Sequence, residues 1–468
     1  MKFPEQIDIP VNIQQLITAE VANYYRIIPF AKKDDEISFY VSAAKGLNVK
    51  SELEMLLGLK INLLTSSEEF INKSLALYYR TSAYDSEDST KLKIDNSDFL
   101  EKIIFEAKSI SSSDIHFEVY NEDARIRLRI DGLLIEKYRI PKENYLELVN
   151  KIKIKSNLDI TEKRLPQDGR INYADFDIRV SILPTLYGEK IVMRILGKDA
   201  SEIDIDRLGF ELHDKDIYLQ SIKNTYGIIL ISGPTGSGKT TTLYATLKLL
   251  NNIKRNIVTV EDPIEYTLRG VNQVQLKENI GLTFTSALRS FLRQDPDVIM
   301  LGEIRDAETA QMAIRASLTG HLVLSTIHTN SAMGTISRLI DMGVPSFLIA
   351  ETLIVSVAQR LVRLLCPDCK RQIPFENIPL PKNFNKNDLN EHFVSVGCEK
   401  CHFTGYRGRR AIYEVIPINS DISNAIKADI KNIENKEFLD IKRLADKAFL
   451  LFKNGETSLD EIYSILIN

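Results

Sequence analysis

The sequence predicts an α/β fold built around a mostly parallel sheet and preceded by two smaller α/β units, on three observations. From about residue 205 onward, short apolar runs alternate with longer helical segments; the runs are Gly227 to Ile231, Ile257 to Val260, Val298 to Leu301 and Leu322 to Leu324. Such alternation is the mark of buried parallel strands with helices on both faces. A glycine-rich loop, residues 233–240, joins the first of these runs to a helix expected over Thr241 to Leu250. Upstream, Ser82 to Lys91 is polar and poor in apolar residues, as a linker should be.

At 468 residues the chain exceeds what one hydrophobic core organises, so two or three domains are expected. Residues 1–80 read as a small α/β unit, with a helix over Ile13 to Tyr25, a strand over Glu36 to Val41 and a helix over Ser51 to Gly58. A linker over 81–94 follows. Residues 95–200 form a second unit, in which Ala124 to Ile130 alternates with period two and Asp131-Gly132 supplies a hairpin turn. Residues 201–468 form the third.

With 44% hydrophobic and 26% charged residues, the composition is that of an ordinary globular protein. A formal net charge of -4 argues against wholesale nucleic-acid binding. Met1 to Gln14 carries Pro4, Glu5, Asp8 and Pro10 where a secretory signal needs an apolar run, so the protein is expected to stay inside the cell. The most apolar long stretch, Phe347 to Leu365, is interrupted by Glu351, Gln359, Arg360 and Arg363, so any membrane association is expected to be peripheral.

Gly233-Pro234-Thr235-Gly236-Ser237-Gly238-Lys239-Thr240 fits G-x-x-x-x-G-K-[ST], followed by Thr241 and placed between a strand and a helix as the chemistry requires. Glycines let consecutive backbone N–H groups turn inward onto a β-phosphate, and the helix N-terminus adds its positive dipole end. Lys239 brings a mobile positive charge to the β- and γ-phosphates, and the Thr240 hydroxyl is a ligand for Mg²⁺. ATP with Mg²⁺ is therefore the expected ligand.

Hydrolysis also needs an acid to orient or deprotonate water. Asp297 to Glu303 is a buried-strand run ending in Glu303, and Ile257 to Pro263 ends its strand in Glu261 and Asp262. The generic Walker B aspartate falls on Gly302 here, which leaves Glu303 as the main acid. A water-bridged contact to Mg²⁺ then has to come from Glu303, Glu261 or Asp262. The alternative for Glu303 is a cap on the helix starting near Ala307. His321 and His328 bracket a strand seven residues apart and cannot pair on a metal. At the C-terminal end of its strand, His328 is placed to sense a γ-phosphate, with a satisfied polar histidine as the alternative.

All four cysteines form two C-x-x-C pairs, Cys366 with Cys369 and Cys398 with Cys401. Tetrahedral Zn²⁺ is the natural reading, with redox dithiols or inert thiols as alternatives. Disulfides are disfavoured in the reducing compartment where such an enzyme works.

These residues resemble the secretion and pilus assembly ATPases, which power type II secretion and type IV pilus extension. The resemblance rests on the phosphate loop, Glu261-Asp262-Pro263-Ile264-Glu265-Tyr266, Gly302-Glu303-Ile304-Arg305-Asp306 and the His-box-like Thr319 to Asn330. Ser113 to Glu118, Arg127 to Gly132 and Leu165 to Arg170 look like the family's second N-terminal domain. Residues 1–80 look more distantly like its first, partner-docking domain. The Arg-Leu-Gly-initiated motif of members that bind cyclic-di-GMP is missing, and no such binding is expected.

The resemblance implies a RecA-like core carrying the zinc element 366–401 and a homohexamer in the cytoplasm, peripheral to the inner membrane. It also implies ATP held between the second N-terminal domain and the core, and docking to inner-membrane platform and cytoplasmic adaptor proteins. Within the family the cysteine element marks assembly motors rather than retraction motors. A single Lys leaves the γ-phosphate charge incompletely compensated in the transition state, so arginines of the second domain, Arg170, Arg179 and Arg194, are expected to contribute. The runner-up is a related motor for DNA uptake or nucleic-acid translocation, against which the net charge and the absence of Trp both stand.

Overall fold

The computed structural model describes residues 19–33, 36–42, 49–79, 96–197, 203–375, 389–428 and 441–467, with single positions at 7, 9, 13, 16, 17, 381 and 384. The linker expected over 81–94 lies outside them. The chain divides into two compact units, one of Met1–Ile171, Arg179–Arg194 and Val396–Gly405, the other of Asn172–Ile178, Ile195–Ser395 and Tyr406–Asn468.

The N-terminal part of the first unit runs α1 (Ala19–Tyr25), β1 (Ile27–Lys33), β2 (Glu36–Ser42), α2 (Lys50–Leu57), β3 (Lys60–Ser66) and α3 (Glu68–Tyr78). Its sheet has the order β1-β2-β3, antiparallel between β1 and β2 and parallel between β2 and β3. Of the helix expected over Ile13 to Tyr25, Ile13 and Ala19–Tyr25 are helical and a turn stands at Leu16 and Ile17 between them, while β3 and α3 stand where no element was expected. The reason is legible in β3, whose side chains show no clean alternation of buried and exposed positions. Ser67 starts α3 by accepting from the Phe70 N–H at 3.2 Å, an ordinary N-cap.

A second sheet follows α4 (Asn96–Ser109) and is built from β4 (Asp114–Val119), β5 (Asp123–Ile130), β6 (Leu133–Pro141), β7 (Gln167–Asn172), β8 (Phe176–Thr185) and β9 (Gly188–Gly197), with α5 (Lys142–Lys155) between β6 and β7. The strand order is β6-β5-β4-β9-β8-β7. Period two holds in β5: Ala124, Ile126 and Leu128 are buried, and Arg125, Arg127 and Arg129 lie on the other face. The expected Asp131-Gly132 turn joins β5 to β6, both residues with positive φ. Glu118 on β4 is buried yet ionised. Burial raises its pKa, but hydrogen bonds from Arg127, Arg125 and Lys190 outweigh that and bring it to about 2.

The second unit continues with α6 (Leu212–Ser221), β10 (Gly227–Ser232), α7 (Lys239–Leu250), β11 (Ile257–Glu261), β12 (Asn272–Gln275), α8 (Phe284–Phe291), β13 (Val298–Leu301), α9 (Ala307–Leu318), β14 (Leu322–Ile327), α10 (Gly334–Asp341), α11 (Ser346–Thr352) and β15 (Leu353–Leu365). A short ribbon of β16 (Arg371–Pro374) and β17 (Glu391–Val394) precedes β18 (Tyr406–Pro417), α12 (Ser420–Lys427), α13 (Leu444–Lys453) and α14 (Leu459–Leu466). Seven strands form one sheet in the order β12-β11-β13-β14-β10-β15-β18, parallel except for the antiparallel edge pair β15 and β18.

Alternate residues of its central strands feed two cores. Ile228, Leu230, Val260 and Leu301 pack on one face with Leu288, Ala313 and Ile336. Ile229, Ile231, Met300 and Leu324 pack on the other with Tyr218, Leu243 and Leu247. A strand buried on both faces must be apolar throughout, which is why these strands read as continuous runs. The apolar stretch from Phe347 divides instead into α11 and β15. Among the described residues no helix is long and apolar enough to cross a membrane.

The first unit also contains a buried ion pair. The Lys153 ammonium, fully inaccessible, lies 2.7 Å from the Glu189 carboxylate and donates to the Glu162 carbonyl at 2.7 Å. Removing one member leaves a bare buried charge, whereas removing both with apolar residues does not. Lys153→Ala is therefore expected to cost about 3–5 kcal/mol in denaturant unfolding, with Lys153→Met/Glu189→Leu recovering most of it. A single-variant loss too small to measure would overturn the assignment.

Candidate active site

The loop between β10 and α7 is shaped by what cannot be placed in it. Gly233 has φ 146°, and a Cβ there would sit 2.4 Å from the Gln359 carbonyl oxygen of β15. Gly238 has φ 87° and ends the loop at the start of α7, where a Cβ would lie 2.9 Å from the Gln359 amide nitrogen. Both positions demand glycine. Lys239 is buried, and its Nζ donates to the carbonyls of Gly233 at 2.8 Å and Pro234 at 3.0 Å. Burial pulls its pKa down, and the Glu303 carboxylate works against that.

A cavity of about 510 Å³ opens on the loop. Thr235, Gly236, Ser237, Gly238, Lys239, Thr240 and Thr241 line one side, and Gly233 and Pro234 lead into them from the end of β10. Glu261 and Asp262 enter from the end of β11, Glu303 and Arg305 from the end of β13, and His328 from the end of β14. The acids, the histidine and the phosphate loop expected from the sequence are thus brought to one place, at the carboxyl ends of parallel strands where open α/β sheets bind ligands.

Glu303 does not cap α9. Asp306 does, accepting from the Thr309 N–H at 2.8 Å. Glu303 instead stands between Arg305 at 2.6 Å and His328 Nε2 at 3.3 Å. The hydrogen bond from Arg305 to Glu303 raises the arginine's pKa and keeps that partner charged. A Cβ at Gly302 would meet the Glu261 backbone at 3.4 Å, so the absent Walker B aspartate leaves β13 close against β11. His321 lies at the opposite end of β14, its Nδ1 within 2.8 Å of the Ala316 carbonyl oxygen.

Glu261 is more enclosed than Glu303. Its carboxylate accepts from Thr259 Oγ1 at 2.6 Å, from Gln273 Nε2 at 3.2 Å and from the Tyr244 hydroxyl. Burial and the adjacent Glu261 push the Tyr244 phenol well above its usual pKa, so it remains a donor. Tyr244 lies on α7, so this network ties the helix after the phosphate loop to β11 and β12. Tyr244 and Gln273 carry no motif, and nothing local in the sequence marks them. Arg409 of β18 also lines the cavity, brought there by the pairing of β18 with β15.

The three arginines of the second domain lie on neighbouring strands of the six-stranded sheet, Arg170 on β7, Arg179 on β8 and Arg194 on β9. Arg170 is exposed and Arg179 half-buried. Arg194 pairs with Asp114 at 2.8 Å.

The thiol sulfurs of Cys366, Cys369, Cys398 and Cys401 lie within 4.8 Å of one another. Cys398 and Cys401 sulfurs are 3.8 Å apart, about the edge of a tetrahedron with zinc–sulfur bonds of about 2.3 Å, and far beyond a disulfide. Backbone N–H groups of Cys398 and Gly405 point at the Cys401 sulfur at 3.1 and 3.3 Å, as they would toward a thiolate. The donor set and its spacing fit a structural zinc ion.

A phosphate loop at a strand–helix junction of a parallel sheet, faced by an acid from a neighbouring strand, defines the class of P-loop nucleoside triphosphatases. Within that class the chain belongs to the Type II/IV secretion system protein family, whose model matches residues 91–464. The type IV pilus assembly ATPase PilB of Myxococcus xanthus is 39% identical over 98% of this chain and 87% of its own length. Type II secretion system ATPase E of Vibrio cholerae is 41% identical over 85% of this chain and 80% of its own. Among solved structures, the pilus retraction motor PilT with bound ADP superposes with a TM-score of 0.54 at 27% identity, covering 78% of this chain and 96% of that one. The DotB ATPase of Legionella pneumophila, at TM-score 0.59 and 21% identity over 79% of this chain and 95% of its own, shares the fold. The chain is an ATP-hydrolysing enzyme of the assembly type, similar to the ATPases of type IV pilus assembly and type II secretion.

Proposed function

We propose that this enzyme works as a cytoplasmic homohexamer, peripheral to the inner membrane, and spends ATP on assembling a type IV pilus or a type II secretion pseudopilus. The observation that carries the reading is Glu303, held by Arg305 and His328 at the mouth of the cavity that Lys239 and the phosphate loop define. In this reading the loop N–H groups and Lys239 bind the β- and γ-phosphates, and Thr240 holds Mg²⁺. The ion would neutralise charge on the phosphates. Glu303 orients the attacking water, and His328, whose Nε2 lies 3.3 Å from it, reports the γ-phosphate to β14. Glu261 and Asp262, which line the same cavity, would help hold the ion through water.

Arg170, Arg179 and Arg194 supply the remaining transition-state charge, so that movement of their domain and turnover are linked. Family membership supports a ring and a machine around it, with inner-membrane platform and cytoplasmic adaptor proteins as partners. One zinc ion on Cys366, Cys369, Cys398 and Cys401 stabilises its subdomain and takes no part in chemistry.

Lys239→Ala should abolish nucleotide binding, whereas Glu303→Gln should keep it and lose turnover by about 10²–10⁴-fold. Near-normal turnover in Glu303→Gln would overturn the role of that acid. Elemental analysis of protein purified without chelator should find one zinc per chain, and stripping it should lower the unfolding temperature; protein without zinc refutes the metal site. Alanine at Arg170, Arg179 or Arg194 should cut turnover by orders of magnitude with a smaller effect on affinity, and turnover per chain should rise with protein concentration. Normal hydrolysis in all three variants, or a monomer as fast as the ring, would rule out the inter-domain mechanism.

A further inference from the structure

We propose that Gln359 is a positioning residue for the phosphate loop, fixing both of its ends from behind and thereby setting nucleotide affinity without touching the nucleotide. The proposal deepens the reading of this loop as the ATP site and rests on it. Gln359 follows the last residue of β15 paired to β10, since Ser232 pairs with Ala358. It is 2% exposed and does not line the cavity, whereas Leu361, two residues on and on the same face of the strand, does.

Two close approaches and one hydrogen bond converge on this one residue. Its carbonyl oxygen is the atom that a Cβ on Gly233 would strike, so the entrance of the loop rests on it. Its side-chain nitrogen is the atom nearest to where a Cβ on Gly238 would stand, at 2.9 Å, so the side chain closes the space behind the exit of the loop. Its side-chain oxygen accepts from Thr242 Oγ1, in the first turn of α7, at 2.9 Å. Behind this triangle the Tyr413 hydroxyl lies 3.4 Å from the same Thr242 oxygen and donates to the Leu208 carbonyl at 3.2 Å.

A buried amide carries a desolvation cost that an apolar side chain of the same length would avoid. The backbone of Gln359 fixes the 233 end, and the glutamine side chain sets that cost against the placement of Gly238 and Thr242 relative to it. The span between the two ends decides whether the inward-facing N–H groups of the loop match a phosphate, so a slack loop would bind ground state and transition state equally less well. The signature is a change in KM with little change in kcat.

The test uses the full chain with Gln359→Met, which keeps length and removes both polar atoms, and Thr242→Val, which removes the facing hydroxyl. Calorimetric titration with Mg-ADP, steady-state kinetics with Mg-ATP and the unfolding temperature of the nucleotide-free protein are measured for each. Kd and KM should rise about tenfold in either variant, kcat should change by less than about threefold, and the double variant should be no worse than the poorer single one. Kd and KM within twofold of the wild type overturn the proposal, as does simple multiplication of the two effects, or a fall in kcat with KM unchanged. Should Gln359→Met fail to fold, Thr242→Val decides: the same rise in Kd supports the proposal and an unchanged Kd overturns it. Retained nucleotide binding in Lys239→Ala would sink the ATP-site reading itself, whereas normal affinity in Gln359→Met alone sinks only the role of Gln359.

Discussion

The second unit depends on one crowding constraint, the contact between the backbone leaving β10 at Gly233 and the backbone of β15 at Gln359. No side chain fits between them. Because β10 is a central strand buried on both faces, its end cannot splay to make room, and the turn must be completed in the six residues before α7 begins. The helix that follows is then pressed onto the sheet by Leu243, Leu247 and Leu250. It carries Tyr244 to Glu261 and Thr242 to Gln359, so two strands on opposite sides of β10 are tied to the same turn.

Much of this was written in the sequence. Strands buried on both faces appear as unbroken apolar runs, and β10, β11, β13 and β14 were read to within a few residues for that reason. The phosphate loop was legible because glycine spacing and flanking elements are local. What escaped depends on pairing across long separations. β15 reads like part of one apolar segment with α11, and only its contact with β10 on one side and β18 on the other makes it a strand. β3 escaped because a half-exposed strand leaves no regular pattern.

The site shows the same division. Glu303, Glu261 and His328 were placed at the ends of their strands by their position after apolar runs, and they do meet at the cavity. Their surroundings were not legible. The choice between a helix cap and a free carboxylate for Glu303 is made by Asp306 taking the cap. The enclosure of Glu261 comes from Thr259, Tyr244 and Gln273, three residues on three elements. The two acids therefore differ in kind: Glu303 faces ionisable partners that a ligand can rearrange, while Glu261 is built into the packing that holds α7 to β11.

The cysteine element begins at Cys366, directly after β15, and the chain returns to the sheet at Tyr406 as β18, the partner of that strand. In topological terms it is the loop of a hairpin, however elaborate. It is also joined to the phosphate loop by an unbroken run of strand from Gln359 to Leu365, roughly 20 Å of extended chain at about 3.3 Å per residue. Extended backbone resists stretching, so Cys366 and the backbone that crowds Gly233 stand at the two ends of one stiff segment.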